Sequence, residues 1–325
     1  MRFKTFNQLP LFTDDFFLRH LDDLTRKDAL VIHNPPEALV TSPVLLRSRK
    51  SLEEHIAFIR ENGIKKAIVV AEDLGFLTQC PTLEYLWVLP SMDAEYFDET
   101  PIYSLPNLKW LRLHTTAGLD DRQAASVDYS RFRSLQWLSI HGAVGHRNVH
   151  LAGSLVSLLF QEGYPQAGDL RNTFPGAGLR NFCICQAPIV SLSGLEAAGQ
   201  LRRLELSCNR RLTDISALRA VKDTLACLEI DTCGKIRDFS VLGELENLEY
   251  LILKGSNVLP GLSFLDLLPK LKHLHVTMNV ADGDLSPCLR LPYARIQNRK
   301  HYSHKDQDLP KAYSNPDDEY PFRVP

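Results

Sequence analysis

Apolar residues recur along this chain in the frame Leu-x-x-Leu-x-Leu, with variants beginning at Leu83, Leu108, Leu135, Leu179, Leu201, Leu225, Leu248 and Leu271. Neighbouring frames lie 22 to 27 residues apart, except that the step from Leu135 to Leu179 is twice 22. In an extended segment side chains alternate between faces. The second and third apolar residues of each frame therefore point one way, and the residues before, between and after them point the other. A fixed period of this length predicts stacked coils, each a strand, a turn and a short helical or irregular return. The double step predicts one degenerate coil. Leu155-x-x-Leu158-x-Phe160 fits that frame, and an amphipathic helix from Val149 to Gln161 fits nearly as well.

A second motif keeps the same register: Leu192-Ser193-Gly194-Leu195, Ile215-Ser216-Ala217-Leu218, Phe239-Ser240-Val241-Leu242 and Leu262-Ser263-Phe264-Leu265. Serine there is expected to accept from backbone N–H groups and open a short helical turn. Ahead of the frames, Phe12 to Leu24 has near-helical apolar spacing, and Ser51-Leu52-Glu53-Glu54 is a capping box for a helix that stops at Gly63. Ile64 to Val70 reads as a strand forming the first rung, while His33-Asn34-Pro35-Pro36 and Ser42-Pro43 read as loops. The organisation expected is an N-terminal cap over residues 1–80, a repeat array over 81–292 and a C-terminal tail over 293–325. The tail either packs across the last coil or stays apart from it.

With so many frames in register, the chain from about Pro81 to Pro292 resembles the leucine-rich-repeat family, in the internalin-like variety with units near 22 residues. The resemblance implies an α/β fold: a right-handed leucine-rich-repeat solenoid with a concave parallel sheet, short helical or irregular convex segments and an α-helical N-terminal cap. Three residues after the third apolar position this family places Asn or Cys, whose polar group caps backbone in the turn. Those positions here hold Ser91, Thr116, Ala143, Ala187, Asn209, Cys233, Ser256 and Asn279. The matches lie toward the C-terminal end, so a looser ladder is expected at the N-terminal end.

Candidate binding residues occupy the outward positions. All three tryptophans of the chain, Trp87, Trp110 and Trp137, fall there on the first three frames, with Tyr85, Arg112, His114 and His141. Trp, Tyr and Arg dominate binding energy at protein interfaces, so this stripe is expected to be open to solvent and to contact a partner. The competing expectation is that the cap or the segment between Ala143 and Gly178 folds over the rings and makes them core. Further along, Glu205, Glu229 and Asp231 form an acidic patch beside Arg203, Tyr250 and Lys254. It would steer a basic partner, or serve only as a solvated face.

Composition narrows the function. Lys+Arg number 37 against 39 Asp+Glu, a balance that lacks the basic excess of a phosphate-backbone binder, so nucleic acid is not expected as a partner. No signal-peptide or membrane-spanning apolar run is visible, and the seven cysteines are odd in number and scattered, which points to a reducing, cytoplasmic setting. His273-x-His275 and His301-x-x-His304 lack further ligands at metal-site spacing, and Cys183-x-Cys185 lacks the redox-motif turn. Nucleophile-elbow, phosphate-loop and dinucleotide motifs are missing. No catalytic residue, metal or cofactor is therefore expected. The reading is a monomeric, non-catalytic protein-binding module using its concave face, with another protein as partner and no membrane contact. The alternatives are a bacterial cytoplasmic immunity or inhibitor protein that blocks a toxin or enzyme, as the resemblance implies, and a structural adaptor.

Overall fold

Each apolar frame from Leu83 onward folds as a short parallel strand, because its alternation offers one face to a core and its flanking residues allow turns at both ends. The computed structural model describes residues 30–34, 51–90, 98–114, 127–142, 145–175 and 178–312, and these fall into an N-terminal unit ending at Ser154 and a C-terminal unit beginning at Leu155. The region from Phe12 to Leu24 and Ser42-Pro43 lie outside the described residues.

The N-terminal unit contains β1 (Leu30–Asn34), α1 (Leu52–Asn62), β2 (Lys66–Ala71), β3 (Tyr85–Pro90), β4 (Trp110–His114), β5 (Val127–Asp128), β6 (Trp137–His141) and β7 (His146–Arg147). Strands β1, β2, β3, β4 and β6 pair in that order, all parallel, and β5 pairs with β7. Leu86, Leu111 and Leu138 are register partners, all fully buried. Helix α1 has the expected capping box between Ser51 and Glu54, and it ends at Gly63 in the left-handed conformation. One sequence expectation fails here. His33 and Asn34 end β1 rather than forming a loop, so a rung precedes β2. The apolar run at Leu30 is too short to show a period, and pairing with β2 decides its conformation.

The C-terminal unit contains β8 (Ser157–Gln161), β9 (Asn181–Cys185), β10 (Arg203–Ser207), β11 (Cys227–Asp231), β12 (Tyr250–Lys254), β13 (Val258–Leu259), β14 (His273–Val276), β15 (Asn279–Val280) and β16 (Tyr293–Ile296). Its sheet runs β8-β9-β10-β11-β12-β14-β16, again parallel. Phe182, Leu204, Leu228, Leu251 and Leu274 form a buried column in register. The double step thus resolves as a degenerate coil and not a helix: Leu158 and Phe160 of β8 align with Phe182 and Ile184 of β9.

After β8, β9, β10 and β11 the chain turns through Glu162, Gln186, Cys208 and Thr232, each at a φ near +55°, and each donates its N–H to the next rung. Asn209 follows one of these turns, donating to Ile184 O at 2.9 Å and accepting from Ala187 N at 3.0 Å, while the Cys233 thiol donates to Leu206 O. In the next coil the capping residue is Asn257 and not Ser256; its amide donates to Cys233 O and Ile236 O at 3.1 and 2.9 Å. Gly255, at a φ of +123°, accommodates the extra residue, and a side chain there would press on the backbone of Thr232 at 3.2 Å.

The return segments are short 3-10 turns, among them Ser216–Val221, Ser240–Glu244, Ser263–Leu267 and Ser286–Arg290. The serine hydroxyl does not cap them. Instead Ser216, Ser240 and Ser286 donate their backbone N–H groups to the carboxylates of Asp214, Asp238 and Asp284, at 2.8, 2.8 and 2.9 Å. The N-terminal unit repeats the device with Asp73 to Gly75, Asp98 to Thr100 and Asp128 to Ser130. A carboxylate two residues ahead is the stronger acceptor, because it carries charge. These backbone hydrogen bonds hold the Asp238 and Asp284 carboxyls below their ordinary range, while Asp128 is held down first by side-chain hydrogen bonds from Ser130 and Asn148.

The segment expected as a tail from residue 293 begins with a further rung, β16, and its described residues beyond that strand pack against this end of the sheet. Tyr302 OH accepts from Val280 N at 2.9 Å, Ser303 N donates to Gly283 O, and Lys311 bridges Tyr293 in antiparallel sense. The edge of β16, which would otherwise present unpaired backbone groups, is thereby covered.

Candidate functional site

On the sheet face turned away from the leucine column, the N-terminal unit brings together all seven of its expected site residues. Parallel register sets Tyr85, Trp110 and Trp137 on one row, Trp87, Arg112 and Ser139 on a second, and His114 and His141 on a third. Neighbouring rungs lie about 4.8 Å apart, which is close to ring-stacking distance. The Trp110 and Trp137 rings stack at 4.2 Å with 4° between their planes, and the His114 and His141 rings at 4.4 Å. The Arg112 guanidinium lies 4.7 Å over the Trp87 ring and donates Nε–H to His114 Nε2 at 3.1 Å. That bond requires a neutral His114. Burial, and then the charge of Arg112, push its pKa well below the ordinary value.

Solvent reach differs from the open-stripe expectation and agrees with the competing one that the rings are buried. Trp87, Trp110 and Trp137 are only 5%, 3% and 6% exposed, so the indoles are buried rather than open. Trp110 and Trp137 each cover one face of the other, and the Arg112 guanidinium covers the Trp87 ring. Tyr85, Arg112, His114 and His141 keep intermediate exposure. The result is a buried aromatic floor with a polar, partly accessible rim.

The C-terminal unit holds the other expected group, Arg203, Glu205, Glu229, Asp231 and Tyr250. The solvated acidic face does not form: Glu205 is 2% and Glu229 0% exposed, and Arg203 and Tyr250 are also buried, leaving Asp231 partly accessible. Cations on the same and neighbouring rungs draw the acids in. Lys254 Nζ meets Glu229 Oε1 at 2.9 Å, and Arg203 lies 3.8 Å from Glu205. Lys254 was legible only as a neighbour of the patch, yet it is the counter-ion of Glu229. The aromatic row continues beyond the expected residues, from Tyr250 through His273 to Tyr293, with ring centroids 5.8 and 4.6 Å apart. Equivalent frame positions signalled His273; Tyr293 lies where the leucine frame has faded.

Burial depresses His273 and His275 to about 4 and His146 to about 3, each from 6.5. A neutral buried imidazole must take up a proton to unfold in acid. Its stabilising contribution is present above about pH 6.5 and is lost as pH falls toward the folded value. In denaturant titrations between pH 7 and 4, His273→Gln is expected to flatten the loss of stability by up to about tenfold in the unfolding constant per pH unit. A slope equal to wild type would mean that His273 is not buried neutral.

Among the described residues there is no group of three or more His, Cys, Asp or Glu placed to hold a metal ion, and no helix long and apolar enough to cross a membrane. Parallel rungs, buried apolar columns, turn-capping Asn and Cys, and short 3-10 returns define both units as leucine-rich-repeat architecture. Similar solved structures include an internalin, InlF, of Listeria monocytogenes, at 15% identity over 86% of this chain and 85% of that one, with a TM-score of 0.49. The functional domain of InlJ from the same organism is 13% identical over 84% and 71%, with a TM-score of 0.42. A leucine-rich-repeat protein of Leptospira interrogans is 15% identical over 78% and 83%, with a TM-score of 0.35. No protein-family model and no curated protein matches the sequence.

Proposed function

We propose that this protein is a non-catalytic protein-binding module whose partner docks on the outward sheet face of the N-terminal unit. The observation that supports this most is the interlocked set of Arg112 over Trp87 and His114 against His141, on the rows of the same face next to the Trp110–Trp137 stack. Those side chains serve no leucine core and are already held in place, so a partner would order little on binding. Tyr85, Arg112, His114 and His141 are the contact residues, and the tryptophans fix their positions.

The test compares partners retained from the native source by wild type and by an Arg112→Ala, His141→Ala double variant with an unchanged melting temperature. The expected result is a specific protein whose affinity for the variant falls by about 30-fold or more. Equal retention by both would remove this face from consideration and move attention to Asp231 and its neighbours.

A further inference from the structure

Glu205 on β10 and Glu229 on β11 are register partners in a parallel pair, which places their side chains on one face, one rung apart. Both are almost wholly buried, and one oxygen of each is already occupied: Glu205 Oε1 accepts from the Ser207 hydroxyl at 3.2 Å, and Glu229 Oε1 meets Lys254 Nζ at 2.9 Å. The remaining oxygens, Glu205 Oε2 and Glu229 Oε2, are buried and have no hydrogen-bond partner. Two adjacent buried carboxylates with two such oxygens carry a heavy desolvation and repulsion penalty. One proton removes most of it, because it neutralises one of the two buried charges and with it their mutual repulsion.

We propose that Glu205 and Glu229 hold one proton between them, carried by Glu205, and that its release to solvent as the pH rises weakens the β10–β11 part of the C-terminal unit. The direct contact of Lys254 at 2.9 Å is made with Glu229, which leaves Glu205 as the carboxyl without a cation at that distance. The charged and titratable groups facing the pair are Cys183 from β9, Arg203 from β10, Cys227 and Asp231 from β11, and Lys254 from β12. Arg203 stands 3.8 Å from Glu205 Oε2 and offsets the second charge only in part. Burial, and then the charge of Glu229, raise Glu205 to about 7. A carboxyl raised on folding binds a proton that the unfolded chain has already released. The contribution of this carboxyl to stability is therefore fully present below about pH 4.5, falls as pH rises to about 7, and is level above that.

Glutamine imitates the protonated acid, so the test is denaturant unfolding of wild type and Glu205→Gln from pH 5 to 9. The ratio of their unfolding constants is expected to rise about tenfold per pH unit between about 5 and 7, in favour of the variant, and then to level off. A ratio independent of pH would overturn the proposal. In case Glu205→Gln does not fold, infrared difference spectra provide a second reading. They are taken in a Glu99→Gln background, because Glu99 is raised to a similar value by burial. A protonated-carboxyl C=O band that disappears between pH 6 and 9 supports the shared proton. A spectrum with no such band overturns it.

Discussion

Replacing Leu228 with alanine is expected to lower the stability of the protein by about 2 to 5 kcal/mol, measured as a shift in denaturant midpoint at constant slope. Leu228 is fully buried and sits between Leu204 and Leu251 in the column that joins successive rungs of the C-terminal unit. Truncation removes apolar burial and leaves a cavity that rungs fixed by backbone hydrogen bonds cannot close. Repeat stability is carried largely by contacts between neighbours, so β10 and β12 also lose support. A change below about half a kcal/mol would show that the column is not core.

The second large effect is expected for Trp110→Ala, at about 3 to 5 kcal/mol of stability. From sequence alone this residue belongs to an open binding stripe, and its truncation would weaken binding and spare the fold. The structure reverses that order. Trp110 is 3% exposed and lies flat on Trp137, so its loss opens a cavity on that face of the sheet and frees the Trp137 ring. Arg112→Ala, by contrast, removes a partly exposed side chain. Thermal unfolding of the two variants side by side checks the assignment. A Trp110→Ala protein as stable as Arg112→Ala would restore the open-stripe reading.

The sequence determined the repeat. A leucine frame of near-constant step specifies strand spacing, the inward residues and the register between rungs. Trp110 opposite Trp137 and Leu228 between Leu204 and Leu251 follow from counting alone. The Asp-x-Ser signature was also present in the sequence, at Asp214, Asp238 and Asp284, but its role shows only when the backbone N–H it accepts from is placed. Alternation assigns a side chain to a face and says nothing about what lies over that face.

Tertiary structure alone decided solvent reach and charge state. Whether Trp87 is wet, whether Glu229 is solvated or desolvated against Lys254, and whether His273 titrates near 6.5 or near 4 depend on groups far apart along the chain. Only folding brings those groups together. The same holds for short segments such as β1 and β16, whose own residues carry too weak a preference to choose a conformation. For them the partner strand supplies the hydrogen bonds, and the fold selects the strand.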